Sequence, residues 1–264
     1  MTPTATESTT WAAPVRDAAG IERLRQLDAE LVRVAADFCA RQRRYPALID
    51  TQTLRAAGYH ESFPHLLLAA AGLHDPAADA TRLLAAANLA APRWCLAPAV
   101  CLHVYAEFAG RVLSEPLVVT TRGRCFRNEA GTSPGERQIE FEMREIVIAA
   151  AAEQLQQLVL QVKSRVESLA RRHGLAGAWN VAEDPFFLPA AQGKAYLQRL
   201  KETKWEFRAA DGLALASVNW HETFFGTRFR MTDASGEPIH TACVAVGLDR
   251  WLSRGCFNSR EHHS

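Results

Sequence analysis

The sequence predicts an α+β domain, an antiparallel sheet flanked by helices, on three observations. Residues 120–150 set two apolar-and-charged runs on either side of Gly131-Thr132-Ser133-Pro134-Gly135, the pattern of two strands joined by a long hairpin connection. Residues 205–246 alternate enough in polarity to supply further strands, with Asp233-Ala234-Ser235-Gly236 as a hairpin turn. Two other stretches, 20–43 and 155–174, carry apolar residues at helical spacing.

The leader, residues 1–19, is polar and lacks the apolar run of a signal peptide; it is expected to be flexible, with one catalytic-sized domain spanning 20–264. Ile21, Leu24, Leu27, Leu31, Val34 and Phe38 line one face of the first predicted helix. Pro46 ends helical structure nearby and turns 45–50 extended. Asp50 or Thr51 can cap a short helix that reaches Ala57 and stops at Gly58. Residues 63–68 are predicted as a buried strand or a turn, 75–91 as an alanine-rich helix ended by Pro92, and 102–113 as another helix. Leu155, Leu158, Val159, Val162, Val166 and Leu169 mark the core face of a long amphipathic helix, closed by Arg171, Arg172, His173 and Gly174. Residues 184–189 are a loop, 193–204 a short basic helix, and the chain closes with a helix from Gly247.

At 264 residues and 48% apolar, the chain can bury a substantial core. Thirty basic and 29 acidic residues leave a net charge of +1, which disfavours an extended phosphate-neutralising surface for nucleic acid. No run reaches the roughly 18 apolar residues of a membrane helix. The six cysteines (39, 95, 101, 125, 243 and 256) form no C-x-x-C pair, so a disulfide framework is not expected and a cytoplasmic location is.

Alternation within the hairpin puts Arg127 and Glu129 on one face, and Arg137, Ile139, Phe141, Met143 and Glu145 on one face of the return strand. Such a surface is either a solvated hairpin or a grip for a polyphosphate and a base. Arginine offers a fork of donors to phosphate oxygens, and an aromatic ring offers a stacking platform. Phe126-Arg127-Asn128-Glu129, a variable loop, then Arg137-x-x-Glu140-Phe141 resembles motif 2 of the class II aminoacyl-tRNA synthetases. Cys243 to Trp251, with Gly247 and Arg250 between them, resembles their motif 3. Together the motifs are most similar to atypical, archaeal-type seryl-tRNA synthetases, and above all to their small homologues without a tRNA-binding domain, the amino acid–carrier protein ligases. The resemblance covers roughly residues 44–254 and implies a class II synthetase-like catalytic core, with a homodimer built through the motif 1 region near Tyr45-Pro46.

By this resemblance Arg127 clamps the α-phosphate of ATP and the substrate carboxylate, Glu129 reads the adenine amino group and Phe141 stacks on the base. Arg137 and Arg250 hold the outer phosphates with Gln138 beside them, and strand residues Ala214–Ser217, Ala216 and Ser217 among them, lie under the nucleotide. Activation is in-line attack of a carboxylate on the α-phosphorus, with Mg²⁺ and no general base required. Cys101, Glu145 and Cys243 match the family's zinc ligands, with an open position for the substrate's α-amino group. Spacing alone would not find these three, and an isolated cysteine is ordinarily a small core residue; Cys39, Cys95, Cys125 and Cys256 keep that reading, with Cys125 also able to line the pocket.

Lys204-Trp205-Glu206 is similar to a K-F-E segment of the family, so Lys204 and Glu206 are amino acid pocket candidates, and Asn219 and His221 match its N-x-H. The implied substrate is glycine or alanine, with serine the third candidate. The implied acceptor is the phosphopantetheine thiol of a carrier protein. Lys194, Arg199, Lys201 and Lys204 would complement the acidic surface of such a partner. Two rivals stand beside this reading: a true seryl-like aminoacyl-tRNA synthetase, and a non-catalytic paralogue that binds an amino acid.

Overall fold

The computed structural model of the chain describes residues 13, 15–129, 136–184 and 201–255. Helix α1 (Ala18–Ala36) starts where the Asp17 carboxylate accepts from Gly20 N at 2.7 Å, and it buries Leu24, Leu27, Leu31 and Val34. It therefore begins two residues inside the stretch expected to be a flexible leader. It ends short of residue 43, because Cys39 takes a left-handed φ of 54° and the chain enters β1 (Arg41–Arg43). After β2 (Leu48–Asp50), Asp50 caps α2 (Thr51–Ala56) by accepting from Gln52 N at 2.8 Å, and Gly58 turns the chain at φ 64°. Then α3 (Tyr59–Ser62) and a 3-10 turn at Pro64–Leu66 take up 63–68, settling that segment as a turn.

The helix predicted over 75–91 is broken into α4 (Ala80–Leu83) and a 3-10 turn, Ala86–Asn88, between β3 (Ala69–Ala70) and β4 (Trp94–Leu96). Side chains capture the backbone there: Asp75 accepts from Ala77 N at 2.9 Å, and Asn88 Nδ2 donates to the carbonyls of Asp75 and Leu83 at 2.9 and 3.0 Å. Strands β2, β4 and β3 form a small antiparallel sheet. Helix α5 (Cys101–Glu107) is also shorter than predicted, since Gly110 at φ 72° diverts the chain into β5 (Val112–Leu113).

The predicted hairpin is β6 (Leu117–Phe126) paired with β7 (Glu140–Ala150); the loop residues 131–135 lie outside the described residues. It is followed by α6 (Ala152–Arg172), β8 (Gly177–Val181), β9 (Lys204–Ala209) and β10 (Ala214–Glu222). The chain then runs through α7 (Phe224–Arg228), β11 (Thr232–Asp233), β12 (His240–Gly247) and α8 (Leu248–Arg254). Seven strands form one sheet in the order β1-β6-β7-β12-β10-β9-β8, antiparallel except for β1 against β6.

The period of two along β7 assigns each residue to a face. Ile146, Ile148 and Ala150 join Leu27 and Leu31 of α1, Val159 and Val162 of α6, and Trp251 of α8 in one core. Val147 and Ala149 join Tyr105 of α5 and Phe225 of α7 in the other. The second face, left open toward its Glu140 end, carries the site. No helix among the described residues is long and apolar enough to cross a membrane.

Candidate functional site

Register brings distant residues together on the open face. Asn219 of β10 lies opposite Cys243 of β12, Ser217 opposite Ala245, Ala245 opposite Glu145 of β7, and Gly247 opposite Met143. Above them is an open cleft of about 180 Å³ whose lining includes Arg127, Glu129, Arg137, Gln138, Phe141 and Arg250. Ala216, Ser217, Lys204, Glu206 and Asn219 also line it. The motif residues Arg127, Glu129, Arg137, Gln138, Phe141 and Arg250 thus face one cavity with Lys204, Glu206 and Asn219.

The two arginines central to the motifs are held by main-chain carbonyls, and neither makes an ion pair within 4.0 Å among the described residues. Arg127 Nε donates to Pro98 O at 3.1 Å and its guanidinium sits 5.0 Å over the Phe141 ring. Arg250 donates to Glu136 O at 2.8 Å and Ala214 O at 2.7 Å. Burial, and then the Arg127 charge across the cleft, pulls the Arg250 guanidinium below its ordinary pKa. Two cations converging at some expense form a receptor for an anion. Arg137 is more exposed and pairs with Glu129 at 3.7 Å.

At the base of the cleft, Cys101 from the first turn of α5, Glu145 and Cys243 bring their ligand atoms within 4.8 Å of one another, all three buried. Glu145 accepts from Val100 N at 3.2 Å through Oε1, while its buried Oε2 has no hydrogen-bond partner. Burial first, and then Cys243, pushes the Glu145 carboxyl up to about 8. The hydrogen bond between the thiols holds Cys101 up and Cys243 down, as two sulfurs sharing one proton would be. Two thiols and a carboxylate with an unsatisfied oxygen fit a zinc ion with one position left open. Asn219 joins this site to the cleft: it lines the cavity and donates to Cys243 Sγ at 3.6 Å.

Some expectations need correction. Lys204 does not sit on a basic helix; it opens β9, is buried, and pairs with Asp184 and with Glu206 at 3.3 Å, so it faces the cleft rather than a carrier protein. Lys201 pairs with Glu222 at 3.0 Å, and Lys194 and Arg199 lie outside the described residues. Cys125 is wholly buried opposite Phe141 and does not line the cleft. His221 is likewise absent from the lining and lies behind it, against Tyr105 and Phe225. Cys39 is exposed, Cys95 is buried, and Cys256 lies outside the described residues. Sequence reasoning missed Asp184, Glu142 and Asp249 in the lining, and Arg16, which reaches back to the last two. Nothing in the local sequence of Arg16 signals that contact.

No protein-family model matches the chain. Among solved structures, that of M. kandleri SerRS in complex with A. aeolicus tRNASec superposes with a TM-score of 0.69 at 21% identity, covering 94% of this chain and 58% of that one. The fold is a class II aminoacyl-tRNA synthetase catalytic core. A type-2 serine–tRNA ligase of Methanocaldococcus jannaschii is 28% identical over 65% of this chain and 36% of its own length. Amino acid–[acyl-carrier-protein] ligase 1 of Bradyrhizobium diazoefficiens is 33% identical over 227 residues, 78% of this chain and 68% of the ligase. With that identity along two thirds of the relative, and the cleft residues of its motifs gathered on one face, the chain belongs to the amino acid–[acyl-carrier-protein] ligase family.

Proposed function

We propose that this protein activates a small amino acid, glycine or alanine, with ATP and loads it onto the phosphopantetheine thiol of a carrier protein. In the first step a carboxylate oxygen bonds to the α-phosphorus and pyrophosphate leaves. In the second the thiolate sulfur bonds to the acyl carbon and AMP leaves. Arg127 lies where it can bridge the carboxylate and the α-phosphate; Arg250 and Arg137 serve the outer phosphates, with Gln138 beside them. Phe141 offers its ring to the base, Glu129 its carboxylate to the adenine amino group, and the strand at Ala216 and Ser217 the floor. Positioning and charge stabilisation supply the rate.

The carrying observation is the convergence of Cys101, Glu145 and Cys243 directly behind an arginine-lined cleft, joined to it by Asn219. These three residues would hold zinc, which when bound supplies a Lewis-acidic position for the α-amino group of the substrate. Lys204 and Glu206 shape the rest of the amino acid pocket, and Mg²⁺ accompanies the nucleotide. Strand β1, exposed at the sheet edge, supports a homodimer through the motif 1 region.

ATP–pyrophosphate exchange with each amino acid in turn, followed by intact-mass measurement of a phosphopantetheinylated carrier protein, tests the proposal. Exchange with glycine or alanine and a thioester-sized mass gain are expected. Exchange followed by charging of total tRNA instead of the carrier would make the protein a tRNA synthetase, and no exchange with any amino acid would make it a binding paralogue.

A further inference from the structure

Strand β10 departs from regular pairing beside the thiol cluster. Trp220 pairs with Ala242 and Glu222 with Thr241, so His221 is the extra residue of a β-bulge, and Glu222 takes a left-handed φ of 49° to accommodate it. A bulge re-aims a side chain at a local cost in pairing, and a non-glycine residue in the left-handed region adds to that cost. The side chain so placed is specific. The His221 ring packs edge-on against Phe225 at 4.7 Å and Tyr105 at 5.9 Å, and Nδ1 lies 3.3 Å from the Tyr105 hydroxyl and 3.4 Å from Thr241 Oγ1. These two hydroxyls hold the imidazole on its Nδ1 side, one of them from Thr241, two residues before Cys243 on β12.

Asn219 approaches the Cys243 sulfur from two residues earlier. It is the cross-strand partner of Cys243; its amide donates to Cys243 Sγ at 3.6 Å and to Ser217 Oγ at 3.3 Å. Tyr105 completes the arrangement from α5, one helical turn beyond Cys101. A buried thiolate is a poor tenant of an apolar core unless donors are aimed at it, and the groups around a ligand set its orientation and donor strength.

Resting on the zinc reading above, we infer that Asn219 is a positioning residue of the metal centre, holding the Cys243 thiolate by an N–H···S hydrogen bond across the strand pair, with the bulge at His221 ending the regular register beside it. The ligand it serves is a borderline-soft divalent cation, and its effect is read on the metal rather than on turnover.

Cobalt(II) substitution of the full-length protein gives the test, with zinc affinity measured by competition against a chromophoric chelator. Wild type is expected to show a thiolate-to-cobalt charge-transfer band in the near ultraviolet. Asn219→Leu, which keeps volume and removes the donor, should weaken zinc binding by about 10- to 100-fold and move the band to lower energy, because the stripped sulfur is electron-richer. Asn219→Gln, which keeps an N–H donor, should retain part of both. Unchanged affinity and band in Asn219→Leu, with the band present in wild type, would overturn the inference and leave the zinc reading standing. A wild-type protein without the band would overturn the zinc reading and the inference with it. If Asn219→Leu does not fold, Asn219→Val decides the matter on the same two readouts.

Discussion

Arg16, which lies ahead of the first helix and outside every recognisable motif, pairs with Asp249 of the nucleotide cleft. The same guanidinium lies 3.4 Å from Glu142, Asp249 accepts from Glu142 N at 2.5 Å, and Glu142 in turn pairs with Arg122 at 2.6 Å. Burial raises the Asp249 carboxyl, and Arg16 offsets that penalty. Removing it leaves two nearly buried acids in the wall of a cleft that should receive a polyphosphate. Arg16→Ala is expected to raise the KM for ATP by on the order of tenfold with a smaller change in kcat. Pyrophosphate exchange at varied ATP checks this, and an unchanged KM would reduce Arg16 to a tether.

Arg127 and Arg250 carry the charge of the cleft on main-chain anchors, so neither holds a core interaction together. Arg127→Ala and Arg250→Ala should each lower pyrophosphate exchange by about 10²–10³-fold, the range for removing one transition-state donor. Thermal melting should move little. Arg127→Lys should fail as well, since a point charge does not reproduce the guanidinium fork.

Gly123 is a glycine for reasons of space. A Cβ there would lie 2.3 Å from Val100 Cγ1, and Val100 N is the donor that fixes Glu145 Oε1. Gly123→Ala is expected to destabilise the protein by about 1–3 kcal/mol through overpacking and to lower its zinc content, measured by melting and elemental analysis together. A normal melt with full zinc would show that the Val100 segment yields freely.

Metal uptake should depend on pH in a defined direction. Glu145 in the metal-free protein is pushed up to about 8 by burial, so at neutral pH it holds a proton that ligation must displace. Below pH 8 zinc affinity therefore rises with pH, and above it the contribution of Glu145 levels off. Isothermal calorimetry at pH 7 in two buffers of different ionisation enthalpy would register the released proton. In Glu145→Gln that proton should be missing.

What the sequence discloses divides along physical lines. The long elements are legible because their period persists: Leu24, Leu27, Leu31 and Val34 mark the buried face of α1, although Ile21 is exposed and Phe38 lies past its end, the positions from Leu155 to Leu169 mark that of α6, and the hairpin around the 131–135 loop announces itself by alternation. Short elements are not legible, because side-chain hydrogen bonds such as those of Asp75 and Asn88 override an alanine-rich propensity. Lys204 was misassigned to a helix for a similar reason: basic neighbours conceal the strand it begins. The cleft residues Arg127, Glu129, Arg137, Phe141 and Arg250 could be named from two local motifs. The cluster of Cys101, Glu145 and Cys243 could be named only by resemblance, since three elements and a sheet register are needed to bring them together. Arg16 and the bulge at His221 have no local signature; each exists only in the register and packing of the finished sheet.

The central claim is that two thiolates and a carboxylate grip a metal behind the arginine cleft. Elemental analysis combined with X-ray absorption on protein purified without added metal tests it most directly. One zinc per chain, with two sulfur ligands at about 2.3 Å and the remainder nitrogen or oxygen, is the expected result, lost in Cys243→Ala. Protein that exchanges pyrophosphate at full rate with no zinc, or with zinc that sees no sulfur, would contradict the account.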